Sequence, residues 1–398
     1  MAESTEAITP IASIQSLQLD LPPSCVEFCP KYPSYFLVGT YNLQKDEDAP
    51  ALDGDEEEPE VPGPVKTQNR TGSIVAFRLS EKILTHIQTE PQPSAILDLR
   101  FNPNEGHHEF CAVVSSTATL AMFRLCPEET QPLEHLKTMS MADMVKDSNG
   151  PAPETDVLFL QFCWHPSKAD LIAVSTSSGG VYLVSLGEEW VLHPEPVTTH
   201  SLEPWCVAIS PSLSSVGDGF TLFSGGDDAV LRYRACNCLG NETDVGYTFG
   251  DFTQVVKRHH DAGVTAILPL GLKEDNSELV VTGSYDDHIR LFCVGETAFQ
   301  TKKLAESNLG GGVWRLKVIG HQEAKTRILA SCMHAGARIV DLVKKPEGQY
   351  EFRVVGSFVE HESMNYGCDF QVGGAGGLSI VSTSFYDKLL CLWEPSEP

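Results

Sequence analysis

The residues of this chain best suited to chemistry gather at polar hairpin turns. Three histidines precede three aspartates by 26 to 28 residues: His200 and Asp228, His260 and Asp287, His361 and Asp387. Recurrence at one spacing is the mark of a structural tie between a loop and the following turn, and all six are read as structural. The residue just before the turn aspartate points off the surface instead. Aligned on the strand after the turn, that column holds Asp227, Asp286, His334 and Tyr386. At His334 the sequence reads CMHAG, with Ala335 in the turn-aspartate position. A histidine there has no aspartate holding its loop. Since imidazole titrates near neutrality, it is the favoured candidate for proton transfer.

The elements that must position these residues are hairpins. Leu279 to Val294 reads LVVTGSYDDHIRLFCV, a β-rich run, a polar turn and a second alternating run. Phe220 to Arg234 and Leu378 to Glu394 repeat the pattern. Self-similarity at a period near fifty residues signals a repeat architecture. Seven copies follow inner-strand runs that begin near Ser24, Ala95, Val157, Pro204, Gly263, Gly312 and Asn365. Three strands and a variable outer strand per copy make a four-stranded blade, so the fold class is all-β, a seven-bladed propeller. The chain ends on the third strand of its last blade, and the alternating run Ala12 to Asp20 has no hairpin of its own. It is expected to supply the missing outer strand and close the ring without an exposed edge. A single domain over 1–398 is expected, with an acidic mobile loop at 42–71 and a long connection at 127–153. Within the latter, Leu133 to Val145 reads as a helical piece, with part of it free to form an outer strand.

Composition narrows the partners. The formal net charge is −26, with 54 acidic against 28 basic residues. Phosphate neutralisation needs clustered Lys and Arg, which argues against nucleic acid and anionic membrane. A basic or cationic partner fits better. The 12 cysteines are scattered through strand-like runs without a CxxC pair, which argues against a zinc site. The start MAESTEAITP lacks a basic, apolar signal, and no stretch approaches the roughly twenty apolar residues of a membrane span. A reduced, cytoplasmic monomer is expected.

The pattern resembles WD repeats. In that family a His, a turn Asp, a Ser or Thr and a Trp form one hydrogen-bonded set. Here Ser224, Thr282 and Ser382 occupy the Ser/Thr position, and Tyr233, Phe292 and Trp393 the Trp position. The strings SGGDDAVLRYR, KRHHDAGV, TGSYDDHIRLF, GGGVWRLKV, ASCMHAGARIV and STSFYDKLLCLWE are similar to the diphthine methyl ester hydrolases of the diphthamide pathway. The first half agrees more loosely, through VGTYNL and SAILD. The resemblance implies a eukaryotic, cytosolic hydrolase that removes a methyl ester from the modified histidine of translation elongation factor 2, without a cofactor.

For ester hydrolysis the residues admit several assignments. No GxSxG elbow or metal-ligand cluster is present. His334 would act as base on a water, on Cys332 or on Ser284, with Asp286 orienting it. Arg315 or the amides of Gly310 to Gly312 would hold the oxyanion. The trimethylammonium group that the resemblance implies favours aromatic faces and carboxylates. Trp205, Trp314, Tyr285 and Tyr386 with Asp227 are the candidates for that cage. Trp205 and Trp314 also read as inner-strand packing residues. The competing reading is a non-catalytic scaffold whose top face docks a protein.

Overall fold

Inner strands such as Ile96–Phe101 and Phe159–His165 are short, largely apolar runs, and each is followed by a strand with small or β-branched residues. Such runs are stable only when both faces are covered, and the chain covers them by stacking sheets around an axis. The computed structural model describes residues 10–43, 69–145, 156–211, 219–239, 246–275, 277–373 and 377–395. Seven antiparallel sheets of four or five strands form the seven blades of a propeller. Between each pair of neighbouring blades lies one apolar cluster, seven in all among the described residues. The fold is therefore a ring of interfaces rather than one central core.

Ring closure follows the expected route. Ser13–Gln18 pairs antiparallel with Leu389–Trp393, so the N-terminal strand becomes the outer strand of blade 7. Leu17 and Leu19 pack into the cluster that joins blade 7 to blade 1. Side chains also stitch inner strands together around the axis. Asp369 accepts from Phe28 N at 2.6 Å, Glu27 from Phe101 N at 2.7 Å and Gln161 from Val207 N at 2.6 Å. Each bond runs from one blade to the next.

The long connection is mostly strand. Leu133–Ser140 is the outer strand of blade 2, and only Met141–Met144 is helical, a single turn capped by Ser140. The expected helix over Leu133 to Val145 is thus confined to its last third. Of the expected acidic loop, Asn42–Leu43 pairs with Arg70 and Thr71. Residues 44–68, and 146–153 of the long connection, lie outside the described residues.

Candidate active site at the mouth of the channel

The hairpin turns show first what is structural. In blade 4, His200 Nδ1 lies 2.9 Å from Asp228 Oδ1, and its Nε2 lies 2.8 Å from Ser224 Oγ. Arg232 donates to Asp228 Oδ2 at 2.7 Å. In blade 5, His260 Nε2 reaches Thr282 at 2.8 Å, and the tie is made by Asp286 rather than Asp287. Asp286 accepts from Asp261 N at 2.8 Å, from Arg290 at 2.8 Å and from His288 N at 3.1 Å. Burial works against its charge, but these donors overcome it and hold the carboxyl down at about 2. Asp287 sits beside it in the left-handed region, φ +66°. In blade 7, His361 Nε2 bonds Ser382 at 2.8 Å, Trp393 Nε1 donates to Ser382 at 3.0 Å, and Asp387 accepts from Glu362 N at 3.0 Å. Tyr233 does not share this role, because its hydroxyl bonds Gly295 O and Thr301 instead.

Blade 6 breaks the pattern, and strand register shows how. Ser224, Thr282 and Ala330 pair with Arg232, Arg290 and Arg338. Counting forward equally from each, His334 stands where Asp228 and Asp286 stand, not one residue before it. The alignment that put Ala335 there is displaced by one. Arg338, lacking a carboxylate, donates to the carbonyls of Ala335 at 2.7 Å and Ala337 at 3.0 Å. A Cβ on Gly311 would meet Cys332 O at 2.4 Å, so the glycine loop holds the turn by close approach. His334 is exposed.

The expected nucleophiles lie elsewhere. Cys332 is fully buried in the blade 5 and 6 cluster, where burial pushes its thiol up to about 12. At neutral pH it carries no thiolate. Ser284 is buried and donates to Ala262 O at 3.1 Å. Asp286 is taken up by donors of its own blade, Asp261 N, His288 N and Arg290. Gly310 N donates to Asn308 at 2.8 Å and is not open to an oxyanion.

The aromatic residues, by contrast, converge. Trp205, Trp314 and Tyr366 each stand one residue ahead of an inner strand, in blades 4, 6 and 7. That position puts their rings at the mouth of the channel. Trp314 is central, with ring centroids 5.7 Å from Trp205, 5.9 Å from Tyr285 and 5.1 Å from Tyr366. Phe385 continues the wall at 5.5 Å from Tyr366 and 5.0 Å from Tyr386, which is 70% exposed at the rim. Asp227 flanks Tyr285: a Cβ on Gly263 would meet Asp227 Oδ1 at 2.7 Å and the Tyr285 ring at 3.0 Å. Burial, with Glu203 and Asp228 nearby, raises the Asp227 pKa against the effect of the neighbouring Trp205 indole N–H. Tyr366 and Phe385 escaped the sequence reading. The offset they share with Trp205, or with the turn residue Tyr285, was the available signal.

Below the cup, alternate residues of the inner strands face the axis. Arg315 crosses from blade 6 to Asp98 on blade 2 at 3.6 Å, and Arg100 holds the other oxygen of Asp98 at 3.0 Å. Lys317 reaches Asp369 at 2.6 Å and Glu27 at 3.5 Å. Two basic side chains meet one acid in the first triad, and one meets two in the second, where burial pushes the Glu27 carboxyl up to about 7 against the pull of Lys317. A cavity of about 200 Å³ lies among Glu27, Asp98, Arg100, Arg315, Lys317 and Tyr366. Aromatic walls, an acidic rim and a guanidinium beneath can hold a cationic group and an oxygen of opposite polarity a few ångströms apart.

No family model matches the chain. Curated proteins do. It is 28% identical to diphthine methyltransferase of Homo sapiens over 90% of this chain and 74% of that protein. It is 27% identical to that of Schizosaccharomyces pombe over 94% and 95%, and 25% identical to that of Saccharomyces cerevisiae over 96% and 97%. Among solved structures, Chaetomium thermophilum Sqt1 bound to the N-terminus of a ribosomal protein superposes with a TM-score of 0.58 at 11% identity, covering 96% of this chain and 100% of Sqt1. That likeness is one of fold. No described helix is long and apolar enough to cross a membrane. The chain is a seven-bladed WD-repeat propeller related, along nearly its whole length, to the proteins named diphthine methyltransferase.

Proposed function

We propose that the protein is a carboxylic ester hydrolase of the diphthamide pathway, removing the methyl ester of methylated diphthine on translation elongation factor 2. The observation that carries this reading is the cup: Trp205, Tyr285, Trp314 and Tyr366 around one opening, Asp227 at its rim and Arg315 beneath. A quaternary ammonium is attracted by aromatic faces and a nearby carboxylate. The ester carbonyl beside that ammonium falls toward Arg315. Relatives bearing a methyltransferase name raise the opposite direction, methyl addition. Cofactor and substrate sites usually span roughly 300–1,000 Å³. The channel cavity, about 200 Å³, suits one extended side chain better than a side chain and a nucleotide-sized methyl donor together.

In this mechanism the attacking group is water, since Cys332 and Ser284 are buried and engaged. His334 takes the water proton as the oxygen bonds to the carbonyl carbon. Negative charge develops on the carbonyl oxygen, where Arg315 stabilises it. Collapse breaks the bond to the methoxy group, which takes the proton from His334 and leaves as methanol, and the carboxylic acid formed then releases its proton to solvent. A carboxylate remains. His334 is beside the cup rather than in it: a Cβ on Gly312 would meet Sδ of its neighbour Met333 at 2.6 Å and the backbone of Tyr285 at 3.5 Å.

The direct experiment is incubation of the purified protein with elongation factor 2 carrying the methylated intermediate, followed by mass spectrometry of the modified peptide. Loss of one methyl ester with release of methanol and no added cofactor supports the hydrolase. An unchanged peptide with the two proteins co-purifying supports docking alone. The specific observations favouring that second reading are Leu202 and Tyr386, 51% and 70% exposed on the loops around the cup, and the ribosomal-protein N-terminus bound by the structural neighbour.

A further inference from the structure

The cup contains a phenol hydroxyl that the repeat pattern does not require. We propose that the Tyr366 hydroxyl is a second donor, beside Arg315, to the carbonyl oxygen of the bound ester, making Tyr366 a catalytic residue of the mouth. The assignment rests on the hydrolase reading above.

Three features carry it. Tyr366 lines the channel cavity together with Arg315, while its ring packs between Trp314 at 5.1 Å and Phe385 at 5.5 Å. The phenol therefore belongs both to the aromatic wall and to the space over the guanidinium. Its backbone is fixed on each side. Asn365, fully buried, donates through Nδ2 to Gly367 O at 3.2 Å and Thr383 O at 2.8 Å, and its N–H donates to Met333 O at 3.0 Å. A donor held this way pays no reorganisation cost when charge develops. Finally, the hydroxyl makes no hydrogen bond among the described residues. Tyr366 is half-buried, so its hydroxyl is open to the cup, where a ligand oxygen can accept from it. Burial, with Tyr386 nearby, raises the phenol pKa, which keeps the proton in place for donation.

Arg315 alone is a poor oxyanion site. Its guanidinium is drawn 3.6 Å toward Asp98 and lies 5.4 Å from the Trp314 ring centroid. Oxyanion holes work with paired donors converging on one oxygen. Tyr366 supplies the second from the adjacent blade.

The test separates ring from hydroxyl. Tyr366→Phe keeps the stack between Trp314 and Phe385 and deletes only the donor; Tyr366→Leu deletes both. Methyl release from the elongation-factor substrate is followed for wild type and both variants, with melting temperatures alongside. Tyr366→Phe is expected to lower kcat by roughly 10²- to 10³-fold, the usual cost of one oxyanion donor, with KM and melting temperature near wild type. Tyr366→Leu is expected to raise KM as well. Undiminished kcat in Tyr366→Phe, with wild type active, overturns the assignment and leaves the hydrolase reading standing. A kcat loss that tracks a fall in melting temperature also overturns it, since the role is then structural. Absence of methyl release by wild type overturns the hydrolase reading and this assignment with it.

Discussion

Arg315 and Asp98 meet across the channel, blade 6 to blade 2, with 3.6 Å between guanidinium and carboxylate and blades 7 and 1 between them in the ring. Arg100 takes the other oxygen of the same carboxylate at 3.0 Å. One anion thus holds two cations, and the two ends of the contact are not equivalent. Arg315→Ala leaves Asp98 paired with Arg100. Asp98→Ala leaves two guanidinium groups facing each other in a confined space. Removing one partner of a buried pair costs about 3–5 kcal/mol when the other is left uncompensated. Urea denaturation should therefore show Asp98→Ala clearly less stable than Arg315→Ala, while both lose activity. Equal stabilities would mean that the triad is too well solvated to matter.

Trp314 touches three other rings of the cup and should dominate binding of a cation. A cation–π contact contributes about 0.5–2 kcal/mol. Trp314→Ala is expected to raise KM by roughly 3- to 30-fold, with Trp314→Phe intermediate, and kcat should change less than KM. Replacing Tyr386, 70% exposed at the rim, should raise KM without altering the melting temperature. A steady-state series on the three variants measures both; a fall in stability equal to the loss in binding would make these residues packing groups only.

The propeller was legible because its signals are local. A small-residue strand, an aspartate turn and a closing strand fall within one short stretch, and the unpaired run Ala12 to Asp20 announced the closing strand at Ser13–Gln18. The site was legible only in part. Trp205, Tyr285, Trp314 and Asp227 lie together because they sit at equivalent ends of inner strands and turns, while Tyr386 stands at the rim behind Phe385. The turn positions of Asp286 and His334 were misplaced by one residue: they stand four residues before Arg290 and Arg338, as Asp228 stands before Arg232 and Asp387 before Cys391, so Asp287 and Ala335 are not the turn positions of blades 5 and 6. The charged floor was invisible, since Asp98, Arg100, Arg315, Lys317, Glu27 and Asp369 are far apart in sequence and meet only through ring closure.

Stability should fall in acid in two windows. Burial holds His361 at about 4 and His260 at about 3 in the folded chain, against about 6.5 unfolded. The unfolded state therefore takes up protons first, so stability present above about pH 6.5 is lost progressively as pH falls toward those folded values. Asp286, held at about 2 against 3.8, adds a second loss as pH drops below about 4. Melting temperature against pH should decline from near 6.5 downward, and His361→Gln should flatten the upper part of the curve. An unchanged slope in that variant would assign the loss to other groups.

His334 gives the sharpest contrast between structure and chemistry, because it occupies the slot that Asp228 and Asp286 use to tie their blades. Those aspartates are fixed by arginine and backbone donors; His334 is exposed, and the glycine loop at Gly310 to Gly312 has taken over the tie. His334→Ala should leave the melting temperature within about 1 °C, as expected for a surface change away from caps and networks. The same change should abolish methyl release if the imidazole is the base, and His334→Gln should not restore it, since an amide cannot take the proton. Asp286→Ala should do the reverse, lowering stability by about 2 kcal/mol through loss of its buried ties while the remaining folded protein keeps its turnover. Measured together by calorimetry and methanol release, the two variants separate the base from the brace; a His334→Ala protein with full turnover removes the histidine from the reaction and leaves water activation to the carboxylates at the cup.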